Sequence, residues 1–171
     1  GAGKTSLVKA LASESADLLL SVSHTTRLQR ATEVDGVDYH FVDQTQFRAM
    51  LAASGFLEHA EVFGNFYGTS ANWVEEHLSE GENVVLEIDV QGAKQVRSIC
   101  ECTGIFVLPP SLKVLESRLR GRGQDADYVI ARRLAEAVGE MSHYGEFVYL
   151  VVNDSFEDAL EAVDSGSAGS A

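Results

Sequence analysis

Cysteine is almost absent from this chain. Cys100 and Cys102 are the only two, with Glu101 alone between them. That is too few for a disulfide framework, and no second ligand pair completes a zinc site. Both read as ordinary thiols. Basic residues are also scarce: thirteen Lys and Arg face 26 Asp and Glu, leaving a formal net charge of −13. Such a field repels a phosphate backbone and argues against nucleic-acid or anionic-membrane partners, so any bound phosphate must meet a locally basic pocket. Long apolar runs are missing too. The longest, from Phe147 to Val152, falls far short of the roughly 20 residues a bilayer helix needs, and the first residues lack a signal-peptide pattern. The expectation is a soluble cytosolic protein. With 171 residues and 45% apolar composition, the chain is long enough for one globular domain with a buried core, divided into subdomains or not.

What is present begins at the first residue. Gly1-Ala2-Gly3-Lys4-Thr5-Ser6 carries the end of the phosphate-loop pattern GxxxxGK[S/T], whose first glycine would fall three residues upstream of Gly1. In that motif backbone N–H groups cradle phosphate oxygens, the lysine reaches the outer phosphates, and the Ser/Thr hydroxyl ligates Mg²⁺. Lys4 and Thr5 run directly into Leu7, Val8 and Leu11, which share a helical face. A helix N-terminus is therefore expected where an anion would bind. The expectation follows that a buried strand precedes Gly1 in the parent protein, and that a chain starting at Gly1 holds ATP poorly.

Beyond the loop, strands and helices alternate, the pattern of an open sheet flanked by helices. Leu18 to Val22 reads as a buried strand. Asp35-Gly36 is a hairpin-type turn before a strand at Tyr39 to Val42. Asp43 and Gln46 form a capping box for a helix carrying Phe47, Met50 and Leu51, closed by Gly55 at C′. Phe56 to Phe63 is strand-like, and Ser70 opens a helix ended by Gly81. Val84 to Ile88 is an apolar strand stopping at Asp89, where phosphate-loop proteins often place a carboxylate near the metal. Ile105 to Leu108 is a strand stopped by Pro109-Pro110. Ser111 opens a helix through Leu119, a second helix covers about Tyr128 to Met141, and Phe147 to Val152 is the last strand. A short helix ends near Val163, and 164–171 reads as a flexible tail.

Two basic clusters interrupt the acidic background. One holds Ser23, Thr25, Thr26, Arg27 and Arg30, with Tyr39 and Tyr67 as phenol donors. The other holds Arg118, Arg120, Arg122, Arg132 and Arg133. Guanidinium groups match phosphate oxygens bidentately, so two clusters and a phosphate loop suggest two phosphorylated substrates. The bland alternative for Arg118, Arg120 and Arg132 is a solvated helix face paired with acidic neighbours.

Several separated motifs then carry a resemblance. Ser21 to Arg27, Arg30, Glu33, Gly36, Tyr39, Phe56 to Ser70, Glu87 to Ala93, Leu108 to Ser111 and Arg118 to Gly123 together resemble guanylate kinase of the bacterial type, in order and spacing. The resemblance implies an α/β phosphate-loop nucleoside monophosphate kinase: a parallel sheet core flanked by helices, a smaller mixed GMP-binding subdomain and a helical lid. The implied boundaries are a core of about 1–23 and 83–163, a GMP-binding part of about 24–82 and a lid of about 118–133. The implied reaction moves the ATP γ-phosphoryl group to GMP with Mg²⁺. Residue by residue, the ATP side would be Gly1, Ala2, Gly3, Lys4, Thr5 and Ser6, with Asn153 passing the adenine and Thr5 holding the metal. Lys4, Arg122 and Arg133 would serve the transferring phosphoryl group. Glu58 would accept from guanine N1–H and N2–H₂, with Ser23 and Thr69 as hydroxyls for O6. Arg27, Arg30, Tyr39 and Tyr67 would bind the GMP phosphate, and Asp89 would sit between guanine and metal.

Departures accompany the likeness. Leu28-Gln29 and Ala31-Thr32 stand where the family commonly has proline and Pro-Gly, which should loosen the loop presenting Arg30. Val148 replaces a frequent aspartate. Competing readings are a guanylate kinase-like interaction module without catalysis, and a kinase for another nucleotide. Lys4, Thr5, Arg122 and Arg133 favour the enzyme over the module. Glu58 with Thr69 disfavours an adenine nucleotide, whose N1 would present an acceptor to the carboxylate.

Overall fold

The computed structural model describes residues 2–121, 123 and 126–168. In chain order the elements are α1 (Lys4–Glu14), β1 (Leu18–Leu20), β2 (His24–Thr25), β3 (His40–Phe41), α2 (Gln44–Ala52), β4 (Phe56–Val62), β5 (Asn65–Ser70) and α3 (Ala71–Ser79). There follow β6 (Asn83–Val85), α4 (Val90–Ile99), β7 (Ile105–Leu108), α5 (Leu112–Gly121), α6 (Asp127–Met141), a 3₁₀ turn at Tyr144–Glu146, β8 (Tyr149–Val152) and α7 (Phe156–Ala168). The chain divides into two compact units, Gly1–Ser13 with Thr103–Ala171, and Glu14–Cys102.

In the first unit, β7 and β8 pair in parallel, with Ile105 opposite Tyr149 and Leu108 opposite Val152. Parallel strands need a crossover between them, and here α5 and α6 supply it. Those two helices close on Leu115, Leu119 and Ile130, with Leu134 and Ala137 beside them. Ser111 starts α5 as expected, its hydroxyl accepting from Val114 N–H. α7 runs to Ala168, several residues past the expected end near Val163. The reason is a packing site: Gly166 lies close to the side chains of Ile105 and Tyr149, so the small-residue stretch suits a helix against the sheet.

The second unit contains a parallel pair, β1 with β6, and a four-stranded mixed sheet in the order β3-β2-β5-β4. Among the described residues, β1 with β6 and β7 with β8 thus stand as separate two-stranded parallel sheets. β1 stops at Leu20, two residues short of the expected strand, and β6 stops opposite it at Val85. The apolar run to Ile88 therefore continues beyond the ladder. The turn at Asp35-Gly36 exists, with Gly36 at φ 76° and its N–H donating to the Tyr39 carbonyl. It does not make a hairpin, because β3 pairs in parallel with β2.

The helix ends of this unit show how local chemistry sets the boundaries. Asp43 caps α2 in the expected reciprocal box with Gln46. At the other end the expected glycine is displaced by one position. Ser54 occupies C′ at φ 54°, while Gly55 is C″ and donates to the Met50 carbonyl at 2.9 Å. Gly55 is small because an added Cβ would stand 3.0 Å from that carbonyl oxygen. α2 is fastened to the mixed sheet through Phe47, whose ring stacks on Phe56 at 4.4 Å and faces Phe66 at 5.5 Å. Burying such a ring contributes about 1.5–3 kcal/mol.

One helix went unanticipated. Asp89 does not simply end a strand: its side chain accepts from Gly92 N–H and caps α4. Among the described residues, no helix is long and apolar enough to cross a membrane.

Ser54 holds a left-handed conformation that costs an L-residue about 1–2 kcal/mol. Ser54→Gly should therefore raise the melting temperature, and Ser54→Val should lower it. Thermal unfolding of the three proteins checks the order; a glycine variant less stable than wild type would contradict it.

Candidate functional site

In the first unit, the phosphate-loop residues enter α1 directly. Gly3 has φ 92°, a left-handed value that a side chain opposes. A Cβ there would also collide with the amide of Asn153. That amide donates to the Ala2 carbonyl at 2.8 Å. Asn153 is buried and is itself held twice: its N–H donates to the Leu108 carbonyl at 2.8 Å, and its carbonyl accepts from Arg118 at 3.0 Å. Its side chain thus braces the loop backbone. Lys4 begins α1, and Thr5 and Ser6 lie exposed in its first turn, which contains no acidic residue. Leu7 and Leu11 bury the opposite face of the helix. Gly1 and Arg122 lie outside the described residues.

The arginine cluster in the same unit separates into different jobs. Arg118 holds Asn153. Arg120 pairs with Glu116 and, at 2.5 Å, with Asp127. Arg132 lies 3.8 Å from Glu136. Solvated pairing describes Arg120 and Arg132. Arg133 is half-buried on α6.

In the second unit, β4 and β5 place Glu58 opposite Thr69. Glu58 is only 4% exposed and Thr69 fully buried. The Thr69 hydroxyl donates to Glu58 Oε1 at 2.6 Å. Burial pushes the Glu58 carboxyl above its ordinary value; the Thr69 bond opposes this and the negative charge of Asp89 adds to it. Because the Thr69 proton is engaged, its oxygen is left as an acceptor, which does not suit guanine O6. Asp89 accepts from Gly92 N–H at 2.9 Å and from the Gln91 amide at 3.0 Å. Ser23 is half-buried between β1 and β2, its carbonyl accepting from His40 N–H.

Arg27, Tyr39 and Tyr67 come together beside β2, β3 and β5. The Arg27 guanidinium stands 5.4 Å from the centre of the Tyr39 ring, and the two tyrosine rings meet edge to face at 6.0 Å. Burial pushes the Tyr39 phenol up to about 12, so it keeps its proton at neutral pH. Glu33 joins this group, although only its place in a motif marked it in the sequence. It pairs with Arg27 at 2.7 Å, approaches Arg30 at 3.8 Å, and accepts from the Arg30 N–H at 2.8 Å. Partial burial opposes ionisation of Glu33, but the bonds from Arg27 and Arg30 hold its carboxyl below the ordinary range. The loop that lacks the family's prolines is braced by Gln29, whose amide donates to the Glu33 carbonyl at 2.7 Å.

Each unit thus presents a cluster of its own, one of backbone around Gly3 and one around the Glu58 carboxylate. The family profile described as guanylate kinase matches residues 1–166. The chain belongs to the guanylate kinase family. It is 57% identical over 166 residues to a guanylate kinase of Hahella chejuensis, covering 96% of this chain and 80% of that relative. It is 58% identical over 161 residues to a guanylate kinase of Alkalilimnicola ehrlichii, covering 94% and 79%. The crystal structure of guanylate kinase from Anaplasma phagocytophilum superposes with a TM-score of 0.79 at 33% identity, covering 94% of this chain and 78% of that one. The expected α/β phosphate-loop kinase fold holds.

The raised Glu58 carboxyl has a measurable signature. Folding tightens proton binding at this group, so the stability it contributes is present below the ordinary value of 4.5 and is lost as pH rises through the folded value. Glu58→Gln removes that titration. Denaturant midpoints measured across pH should fall for wild type relative to the variant from about 4.5 upward; parallel curves would contradict the assignment.

Proposed function

We infer that the protein transfers the γ-phosphoryl group of ATP to GMP, giving ADP and GDP. The observation that carries the choice of acceptor is the buried Glu58 carboxylate, oriented by Thr69. Guanine offers N1–H and N2–H₂ side by side, and a fixed carboxylate accepts both. Adenine would set its N1 acceptor against the same oxygens. On this reading Thr69 positions Glu58, Ser23 takes the O6 side, and Asp89 borders the base. Arg27, Arg30, Tyr39 and Tyr67 bind the GMP phosphate, with Glu33 holding the two arginines in place.

On the donor side, Ala2, Gly3, Lys4, Thr5 and Ser6, together with Gly1, take the ATP phosphates on the α1 N-terminus. Asn153 keeps the loop in shape for them. Lys4 offsets charge on the outer phosphates, and Arg133, with Arg122, takes up charge on the transferring group. A magnesium ion suits this donor set: the exposed Thr5 hydroxyl is a hard oxygen ligand, and the first turn of α1 has no carboxylate competing for the phosphates. Bound there with ATP, the ion would neutralise β/γ charge. Phosphoryl transfer needs positioning and charge stabilisation more than covalent chemistry, so no nucleophilic side chain is called for. The arm formed by α5 and α6 serves as the lid, and excluding water there would suppress ATP hydrolysis. The net charge of −13 fits small phosphorylated substrates held in local pockets, rather than nucleic acid. A cytoplasmic location accords with the supply of both nucleotides.

A coupled assay of ADP release decides the acceptor. GMP should be turned over strongly in preference to AMP, UMP and dTMP; equal turnover of AMP, or none of GMP, would refute the reading. Glu58→Gln presents an NH₂ donor to guanine's own donors, and GMP kcat/KM should fall about ten- to a hundredfold. ATP affinity should change little.

A further inference from the structure

The α4 helix does more than pack against β4. β4 is an edge strand of its sheet, and along such a strand every second residue turns its N–H and C=O away from the ladder. At His59 those outward groups are taken by one side chain. Gln95 accepts from His59 N–H at 3.1 Å and donates to the His59 carbonyl at 2.7 Å. This is the two-point pairing a neighbouring strand would make. One turn earlier Gln91 reaches the carbonyl of Glu61, the next outward residue, at 3.5 Å.

The pin falls where β4 needs one. The ladder with β5 is interrupted between Phe56 and Glu58, so β5 alone does not fix the approach to the carboxylate. On the other side, Gly92 leaves the space the carboxylate fills. A Cβ on Gly92 would collide with Glu58 Oε2 and stand 2.9 Å from its Cδ. Asp89, Gly92 and Gln95 recur every third residue, so one face of α4 carries the neighbouring charge, the slot and the pin.

We propose that Gln95 is a positioning residue for guanine recognition: by pairing with the His59 backbone it sets the register of α4 against β4 and holds the Glu58 carboxylate over Gly92. The proposal rests on the reading of Glu58 as the guanine acceptor. A residue that only supported the fold would affect all substrates alike. A residue that positions Glu58 should act on the base alone, and most on the contact to the 2-amino group.

The experiment compares initial rates with GMP and with IMP, which lacks that amino group, for wild type, Gln95→Ala and Gln95→Glu. Gln95→Ala should raise the KM for GMP about tenfold, with kcat and the KM for ATP staying within about twofold. Its preference for GMP over IMP should shrink. Gln95→Glu keeps an acceptor for His59 N–H but loses the donor to the carbonyl, and should fall between. Hydrogen exchange at the His59 amide should accelerate in Gln95→Ala. If Gln95→Ala melts lower yet keeps the wild-type KM for GMP and the same GMP/IMP preference, the proposal is overturned. Failure of wild type to phosphorylate GMP would overturn the substrate reading, and this inference with it. Normal wild-type turnover beside unchanged variants overturns this inference alone.

Discussion

A carboxylate buried in a sheet is an expensive arrangement, and the second unit is organised around one. Glu58 gives up water for hydrogen bonds from Thr69, whose hydroxyl donates at 2.6 Å. Desolvating a charge costs several kcal/mol unless partners replace the lost solvation. Burial outweighs the bonds from Thr69 and pushes the carboxyl above its ordinary value. On the proposed reading, a base that brings two N–H donors to the carboxylate would restore what burial removed. Recognition and local destabilisation therefore have the same origin, and the surrounding elements are those that keep the carboxylate from escaping into solvent.

On the proposed reading the two clusters solve opposite problems with different materials. Guanine must be told apart from other bases, and the Glu58 cluster would do so with side chains whose donor and acceptor pattern is fixed. Phosphates need charge and N–H groups but no discrimination, a need that backbone at a helix terminus meets. Backbone can be aimed only by controlling conformation, which explains the left-handed Gly3 and the Asn153 amide on the Ala2 carbonyl. Arg118 steadies Asn153 in turn. A chain of two hydrogen bonds thus gives the loop its shape without either side chain offering negative charge to a phosphate.

Much of this was legible in the sequence, and the limits have physical reasons. The capping box at Asp43, the α1 face, the strand at Ile105–Leu108 and the α5 start all depend on neighbours a few residues away, and all appear as expected. The family motifs brought Glu58 and Thr69 to attention, and the structure joins them. α4 escaped because its capping residue, Asp89, doubles as a site candidate, and because Gln91 and Gln95 look like a solvated polar face. Their partners lie 30 and 36 residues away on the strand edge, beyond any local pattern. β3 lies where the sequence places a strand, but the hairpin expected there fails for a similar reason. A turn at Gly36 is a local fact, whereas the choice of β2 as a parallel neighbour depends on the whole sheet. Ser54 shows the remaining kind of error: Gly55 carried the composition signal for a helix stop, but the left-handed position fell one residue earlier.

Glu33 and Glu58 are the same side chain displaced in opposite directions. Arg27 and Arg30 surround Glu33, and although burial resists ionisation, their bonds win and keep it charged. At Glu58 the side-chain and backbone bonds from Thr69 oppose burial, the charge of Asp89 adds to it, and burial wins. What faces each carboxylate therefore determines what it can do. The first is already satisfied and acts on its arginines, fixing where two cations stand in a chain of net charge −13. The second is unsatisfied and can act only on an incoming donor. On the proposed reading a phosphate competes with Glu33 for Arg27, whereas a guanine base meets a carboxylate whose bonds from Thr69 leave burial uncompensated. The base should consequently contribute more to affinity than the count of phosphate ligands suggests, because a phosphate that takes the Arg27 nitrogen held by Glu33 replaces a bond already made.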